Sequence, residues 1–186
     1  MAPGLGGRID NLYTTAILVY ARTRGYKVGT MYFRCCQGIP ITSTKLNCAA
    51  SWPDVRTIVE NVYSRYVEDQ KAGEKKTRLY AFGCSLGGIT LGLYAGFDAE
   101  EAAKRLDGMV LYATPWNTRE GCRYFRENFF GLYSYVIGIK LNEDIRKLVL
   151  PKMKHLMSEE QYQEYKEILD TNKRGLPHLD EKIFYK

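Results

Sequence analysis

Apolar and polar residues alternate along the first part of the chain in a way that indicates helices separated by short strands. Over residues 10–24, apolar side chains recur with the 3.6-residue period of a helix. Asp10 is placed to cap this helix and Gly25 to end it. The β-forming residues of 26–33 then predict a strand, and an irregular stretch follows over 34–51.

The most regular helical pattern begins at Pro53, a residue type that favours the first turn of a helix. A wide apolar face follows and predicts a helix packed against a core. Its residues are Val55, Ile58, Val59, Val62, Tyr63, Tyr66 and Val67. The helix is expected to end in the charged segment around Gly73.

A strand, a tight turn and an apolar helix follow one another without a gap in the middle of the chain. Residues 78–82 predict the strand, 83–88 a turn bounded by glycines, and 89–95 a helix apolar on nearly every side and therefore buried. A polar helix over 98–105 leads to a second strand over 109–114. This alternation predicts an α/β fold, with a mostly parallel sheet and crossover helices.

After Asn117 the strand pattern stops, and the remaining residues predict helices only. A charged amphipathic helix over 158–169 begins with a capping box, in which Ser158 precedes Gln161 by three positions. Aromatic residues are dense just before it: Tyr124, Phe125, Phe129, Phe130, Tyr133 and Tyr135. Core packing is the favoured explanation for them, with a surface for acyl chains or a partner as the alternative. We therefore expect an α/β core over 1–117 and a helical cap or lid over 118–186.

Composition narrows the class of protein. The 186 residues are 45% hydrophobic, which suffices for a folded core and excludes a disordered chain. The net charge of +6 comes from basic residues scattered among acidic ones, so a solvated surface is favoured over a nucleic-acid or anionic-lipid footprint. We expect no nucleic-acid partner.

Five cysteines, two histidines and the absence of a C-x-x-C pair favour neither a disulfide framework nor a zinc site, and fit a reducing compartment. No apolar stretch reaches the roughly 18 residues of a membrane span, and the first residues lack a signal-peptide pattern. The expected location is the cytoplasm, or a membrane surface on its cytosolic side.

The pentapeptide Gly83-Cys84-Ser85-Leu86-Gly87 has the G-x-S-x-G pattern of a nucleophile elbow. It lies between a predicted strand and a predicted helix, and glycines on both sides allow neighbouring backbone to pass close by. Ser85 is therefore the candidate nucleophile, and the Leu86 N–H at the helix start a candidate oxyanion donor. The alternative is a glycine-rich turn without chemistry.

A second glycine-rich stretch, Pro3-Gly4-Leu5-Gly6-Gly7, precedes the first helix. Acyl transfer needs two oxyanion donors, one from the residue after the nucleophile and one from an earlier loop. Leu5 is placed to supply the second N–H. Taken alone, such a stretch is more often a frayed chain end.

These motifs, in this order, resemble the α/β-hydrolase superfamily, in its branch of YheT-like and alpha/beta hydrolase domain-containing esterases and lipases. The resemblance covers nearly the whole chain. The motifs that carry it are Pro3 to Gly7, Gly25-Tyr26-Lys27-Val28, Tyr32-Phe33-Arg34-Cys35-Cys36, Leu46-Asn47-Cys48-Ala49, Trp52-Pro53-Asp54-Val55, Gly83 to Gly88 and Pro115-Trp116-Asn117. It implies a serine hydrolase that acts on acylglycerols, phospholipids or medium-chain esters through an acyl-serine, with a helical cap and no metal or organic cofactor.

The sequence departs from the family at several positions. Pro3 replaces a histidine, and Cys35 and Cys36 replace a glycine-rich turn. The family places strands before the oxyanion loop and supplies its triad Asp and His after the cap, so this shortened chain is expected to lack all of these.

The residues that remain as triad partners are weak candidates. His155 lies in a cationic stretch and His178 in a loop, and neither is expected to act as the base. The other polar candidates, without an assigned place, are Asp54, Asp107, Asp180 and Asn117. Two hypotheses follow: an acyl-ester hydrolase whose base and acid are missing from this chain, or a non-catalytic hydrolase-like module that docks in a larger assembly.

Overall fold

The computed structural model describes residues 1–69 and 76–171, which form a mixed α/β protein. The chain divides into two compact units. Unit 1 comprises Met1–Tyr32 and Ala49–Trp116, and unit 2 comprises Phe33–Cys48 and the chain from Asn117 onward. The assignment of 1–117 as hydrolase core and 118–186 as cap stays a prediction.

Unit 1 contains two parallel strands and the helices that connect and cover them. Its elements in chain order are α1 (Leu12–Thr23), α2 (Trp52–Tyr63) with a π-helical turn (Ser64–Glu68), β1 (Tyr80–Cys84), α3 (Leu86–Phe97), α4 (Ala99–Arg105) and β2 (Gly108–Tyr112). Apart from the strand predicted over 26–33, the order of elements agrees with the sequence prediction, including the two consecutive helices between β1 and β2.

Strands β1 and β2 pair in parallel, with Tyr80 opposite Gly108 and Cys84 opposite Tyr112. On the other edge of β1, Ala2 forms a parallel bridge with Gly83. The Ala2 N–H donates to the Phe82 carbonyl at 2.7 Å, and the Cys84 N–H donates to the Ala2 carbonyl at 3.0 Å. The predicted parallel sheet with crossover helices is therefore confirmed, and the start of the chain lies beside β1.

The strand predicted over 26–33 is wrong. This segment has no regular secondary structure. Its backbone contacts with the start of the chain are two: the Met31 N–H donates to the Met1 carbonyl at 3.0 Å, and the Met1 amino group donates to the Gly29 carbonyl at 2.8 Å. Pro3 has no N–H, and the chain turns after Gly4, so no second strand continues alongside. A ladder cannot extend without such a partner.

Of the two residues predicted to bound α1, the structure confirms Gly25 at its end and contradicts Asp10 at its start. Gly25 adopts a φ of 84° directly after the last turn of α1 and ends the helix as predicted. Asp10 does not cap α1, because its carboxylate pairs with Arg8 at 2.8 Å and the N-cap residue is Asn11. The predicted end of the second helix near Gly73 lies outside the described residues.

The core of unit 1 lies where α2, α3 and α4 meet. Its buried side chains are Val55, Val59, Leu91, Tyr94 and Ala102. An ion-pair network covers it, in which Glu60 contacts both Arg56 and Arg105, and Arg56 also contacts Asp98. The apolar helix predicted after Ser85 is thus buried along one face, while its last residue, Phe97, is exposed.

In unit 2 the described residues from Asn117 to Thr171 are mostly helical, as predicted, whereas Phe33–Cys48 form no helix, and neither segment contains a strand. The elements are α5 (Thr118–Glu127), a 3-10 turn (Asn128–Gly131), α6 (Leu132–Asp144), a π-helical turn (Ile145–Val149), α7 (Leu150–Met153), a 3-10 turn (Lys154–Leu156) and α8 (Glu159–Thr171). The capping box at α8 is confirmed, since Gln161 N–H donates to Ser158 Oγ at 3.2 Å and Ser158 N–H to Gln161 Oε1 at 3.0 Å.

The core of unit 2 is aliphatic. It consists of Ile145, Val149, Leu150, Met153 and Leu169. Cys35, Ile41 and Leu46 pack against it, which explains why the segment 33–48 belongs to this unit. The prediction that the aromatic residues form the core is therefore wrong. All six, from Tyr124 to Tyr135, are exposed, with fractional exposures of 43% to 106%.

Among the described residues, no helix combines the length and the apolar character needed to cross a bilayer. The same part of the chain holds no group of His, Cys, Asp and Glu residues suited to a metal ion.

Leu150→Ala is expected to lower the free energy of unfolding by about 2–5 kcal/mol, because the truncation leaves a cavity in the core of unit 2. Leu148→Ala is the matched control: this leucine lies two residues earlier and is 59% exposed, against 2% for Leu150. Its substitution should change the unfolding free energy by less than about 0.5 kcal/mol. Urea unfolding of both variants measures the difference, and equal effects would contradict the described core.

Candidate active site

Ser85 is the single residue between β1 and α3. Its φ of 51° and ψ of −116° lie in a region that residues other than glycine rarely adopt. Two backbone hydrogen bonds hold it: the Ser85 N–H donates to the Tyr112 carbonyl at the end of β2, and the Ser85 carbonyl accepts from the Ile89 N–H, each at 3.0 Å. The backbone therefore makes the sharp strand-to-helix turn that a nucleophile elbow requires.

The glycines around Ser85 are required by close packing. A Cβ at Gly83 would lie 2.6 Å from the Gly87 carbonyl oxygen, and a Cβ at Gly87 would lie 2.5 Å from the Pro3 carbonyl oxygen. A Cβ at Gly88 would collide with the Thr114 side chain. Each of these glycines thus lets a different segment reach the amino end of α3, as expected from the G-x-S-x-G pattern.

The glycine-rich start of the chain is part of this arrangement and is not a frayed end. Ala2 and Pro3 are buried, and a Cβ at Gly4 would lie 3.3 Å from the Ser85 Cβ. Gly4 to Gly7 form a β-turn, in which the Gly7 N–H donates to the Gly4 carbonyl at 2.8 Å. Leu5 lies in this turn, one residue after the glycine that faces Ser85.

Tyr13 holds the turn in place, a role that sequence reasoning missed. Its hydroxyl accepts a hydrogen bond from the Gly4 N–H at 3.0 Å. The sequence offered only an aromatic residue in the first turn of α1, and nothing in that pattern signals a hydrogen bond nine residues back. Through Tyr13, α1 fixes the backbone beside Ser85.

Leu86 is the first residue of α3, and the first N–H groups of a helix have no partner within it. They point away from the helix and carry the positive end of its dipole. Together with the Leu5 N–H of the Gly4–Gly7 turn, they are the chemical type of donor that stabilises an oxyanion. The roles of Ser85, Leu5 and Leu86 in catalysis remain predictions.

Burial shapes the electrostatics of this edge of the sheet. Desolvation raises the pKa of the Cys84 thiol above its usual value and lowers the pKa of the Met1 amino group to about 6. Both shifts disfavour charge. The shifts concern the two groups themselves, the Cys84 thiol beside Ser85 and the amino group at the start of the chain.

The end of β2 contributes a second unusual backbone position that the sequence did not reveal. Ala113 adopts a φ of 49°, directly after the residue whose carbonyl binds Ser85 N–H. This bend brings Thr114 against Gly88 in the first turn of α3. The Thr114 Oγ1 is buried there and neither donates nor accepts a hydrogen bond among the described residues.

The candidate triad partners are dispersed. Asp107 accepts a hydrogen bond from the Leu79 N–H at 2.8 Å, before the start of β1 and thus about 20 Å along the strand from Ser85. Asp54 lies in the first turn of α2. Asn117 caps α5, since its Oδ1 accepts from the Glu120 N–H at 3.0 Å.

Neither histidine is assigned to Ser85. His155 lies in an exposed 3-10 turn of unit 2. His178 and Asp180 lie outside the described residues. No histidine precedes residue 155 in the sequence, so unit 1 contains none.

The loop that contains the adjacent cysteines Cys35 and Cys36 adopts backbone angles that are unusual for residues with side chains. Cys35 and Gln37 adopt φ values of 60° and 54°, the left-handed region that favours glycine. Burial raises the pKa of the Cys35 thiol to about 11, and desolvation also raises that of Cys36. Both thiols are therefore neutral and weakly nucleophilic at neutral pH.

Gly87→Ala is expected to lower the free energy of unfolding by about 2–3 kcal/mol, because the new methyl group collides with the backbone of Ala2 and Pro3. Gly96→Ala is the control on the same helix, at an exposed position with nothing within 4 Å. It should raise stability by about 0.5–1 kcal/mol through helix propensity. Thermal unfolding distinguishes the two, and a neutral Gly87→Ala variant would argue against the close contact.

Tyr13→Phe removes the hydroxyl that accepts the Gly4 N–H, which should cost about 1 kcal/mol of stability. It should also speed hydrogen exchange at the Gly4 amide, because that donor loses its partner. Tyr20→Phe, at an exposed position later in α1, should leave both quantities unchanged. If Gly4 exchanged equally fast in the two variants, the role assigned to Tyr13 would be wrong.

The chain is similar in sequence to two known proteins. No family model and no solved structure matches the chain. It is 23% identical over 163 residues to Abhydrolase domain-containing protein 2 of Drosophila melanogaster, over 86% of this chain and 38% of that protein. It is 30% identical over 117 residues to Embryogenesis-associated protein EMB8 of Picea glauca, over 63% of this chain and 23% of that protein.

The chain thus spans less than two fifths of the length of either relative. The first relative is named for the abhydrolase domain, and the strand, serine turn and helix of unit 1 have the arrangement expected of that fold. The similarity and the fold together link this chain to the α/β-hydrolase superfamily.

Proposed function

We propose that this protein is a serine hydrolase of carboxylic acyl esters, with Ser85 as the nucleophile. The observation that carries the proposal is the backbone of Ser85. A φ of 51° costs free energy at a serine, and such strain at a strand-to-helix turn is a feature of nucleophile elbows. The superfamily link supports a hydrolase-like function in general.

In the proposed reaction, Ser85 Oγ attacks the ester carbonyl carbon while its proton passes to a general base. The carbonyl oxygen becomes an oxyanion that accepts hydrogen bonds from the Leu5 and Leu86 N–H groups. Collapse of this intermediate breaks the bond to the alcohol, which leaves with a proton. Water then attacks the acyl-serine, and the free acid and Ser85 are released.

The base and its orienting acid are not assigned among the described residues, and an unassisted serine hydroxyl is a weak nucleophile. An oxyanion site without its triad partners retains roughly 10³- to 10⁴-fold acceleration over water. We therefore propose that full activity needs a base and an acid in addition to the residues placed here.

The substrate class rests on the resemblance to the YheT-like and alpha/beta hydrolase domain-containing esterases and lipases. It comprises acylglycerols, phospholipids or medium-chain esters. The proposed chemistry requires no metal and no organic cofactor.

The second candidate function is a non-catalytic hydrolase-like module that docks in a larger assembly. The exposed aromatic residues of unit 2 favour it, because large apolar side chains grouped on a surface mark an interaction site. In that case the glycines around Ser85 serve packing alone.

Labelling with a fluorophosphonate probe tests the two functions. The proposed hydrolase reacts with the probe, and Ser85→Ala abolishes labelling. Ser64→Ala is the matched control, since Ser64 is an exposed serine of unit 1 outside the elbow, and it should label like the parent chain. Circular dichroism should show that both variants are folded.

Because the base and acid are not assigned here, we expect the parent chain to label slowly and only at high probe concentration. A folded parent chain that labels no faster than Ser85→Ala would reject Ser85 as a nucleophile and favour the docking module. His155→Ala should retain labelling, because this residue lies in an exposed turn of unit 2. Loss of labelling in this variant would instead identify His155 as a triad member.

A further inference from the structure

The hydroxyl of Tyr13 lies against both ends of the Gly4–Gly7 turn. It accepts a hydrogen bond from the Gly4 N–H at 3.0 Å, and a Cβ at Gly7 would lie 3.0 Å from the same oxygen. The Gly4 carbonyl is also bound, because it accepts from the Gly7 N–H at 2.8 Å. Both polar backbone groups of Gly4 therefore have partners. A residue with unusual backbone freedom, next to Ser85, is thus held in one conformation.

These two hydrogen bonds determine the direction of the Leu5 N–H. The Gly4 carbonyl and the Leu5 N–H belong to one planar trans peptide group, in which they point in opposite directions. Because the Gly7 N–H binds the carbonyl on the inside of the turn, the Leu5 N–H points out of the turn. It forms no hydrogen bond among the described residues, so this donor is available to a ligand.

Helix α1 supplies the Tyr13 hydroxyl from a fixed position. Thr14, the next residue, is completely buried. The connection before the helix is short and is itself bound, since Thr15 Oγ1 donates to the Ile9 carbonyl at 3.0 Å. The Gly4–Gly7 turn contains three glycines and has many accessible conformations on its own. The rigid partner in the contact is therefore Tyr13, and the turn is the part that it holds.

We propose that Tyr13 is a positioning residue for the oxyanion site. Its hydroxyl holds Gly4 so that the Leu5 N–H stays aimed at the substrate oxygen beside Ser85, and it does not itself contact the substrate. The inference rests on the proposed function, in which the Leu5 N–H is an oxyanion donor. Donors that are already in place stabilise the developing charge without reorganisation during the reaction. Loss of the Tyr13 hydroxyl should therefore slow acylation of Ser85.

The rate of fluorophosphonate labelling at Ser85 tests this role, because the phosphoryl oxygen of the probe takes the place of the ester carbonyl oxygen. Tyr13→Phe should lower the rate about tenfold, less than the roughly 10²- to 10³-fold loss caused by removal of an oxyanion donor. Tyr20→Phe is the matched control, an exposed tyrosine of the same helix, and it should label at the parent rate. Circular dichroism at the labelling temperature should show that both variants are folded.

Leu5→Pro separates positioning from a purely structural role. The Gly4–Gly7 turn has a positive φ at Gly6 and not at Leu5, the pattern of a type II turn, in which proline is common at the second position. The substitution therefore removes the Leu5 N–H and preserves the turn. It should slow labelling by about 10²-fold. Adding Tyr13→Phe to Leu5→Pro should cause no further loss, because Tyr13 acts only through that donor.

Three results would overturn the inference. They are equal labelling rates for Tyr13→Phe and Tyr20→Phe, an unchanged rate for Leu5→Pro, and a further loss when Tyr13→Phe is added to Leu5→Pro. Faster hydrogen exchange at Gly4 with unchanged labelling would assign Tyr13 a structural role alone.

The same experiment distinguishes failure of this inference from failure of the proposed function. A parent chain that labels no faster than Ser85→Ala would reject both together. A parent chain that labels, combined with any of the three results above, would reject the role of Tyr13 and leave Ser85 as the nucleophile.

Discussion

The close contact between Gly87 and the backbone of Ala2 and Pro3 is the constraint on which the candidate site depends. A side chain at position 87 would separate the first residues from α3, and the Ala2–Gly83 bridge would be lost with them. The Gly4–Gly7 turn follows these residues directly, and Gly4 lies next to Ser85. Tyr13 then secures the turn from the side of α1. Elements far apart in sequence thus meet at one serine.

The two units differ in which side chains they bury and which they expose. Unit 1 buries apolar residues of α2, α3 and α4 beneath a network of charged groups, as a water-soluble protein does. Unit 2 builds its core from aliphatic side chains and leaves its aromatic residues outside. A proposed hydrolase of acyl esters works on molecules that gather in membranes, so an apolar exterior on one unit is compatible with that function.

Sequence patterns predicted those parts of the structure that depend on local signals. The order of helices and strands, the parallel pair, the α8 capping box and the turn at Ser85 all follow from short-range periodicity or from glycines in fixed places. The failures involve partners distant along the chain. Residues 26–33 have strand propensity but lack a neighbouring strand, and Asp10 found Arg8 in place of the helix end. Tyr13 and Thr114 were missed for the same reason.

The aromatic residues of unit 2 were assigned to a core on hydrophobicity alone, which cannot tell an inward from an outward face.

The contact of Gly88 with Thr114 has an evolutionary consequence. The amino end of α3 and the loop after β2 share a space that holds one hydroxyl-bearing side chain and no more. A change at either position alters what the other can accept, so the two sites are coupled by volume. In related proteins, a larger side chain at position 88 is therefore expected together with a smaller one at position 114, so that the two positions change together.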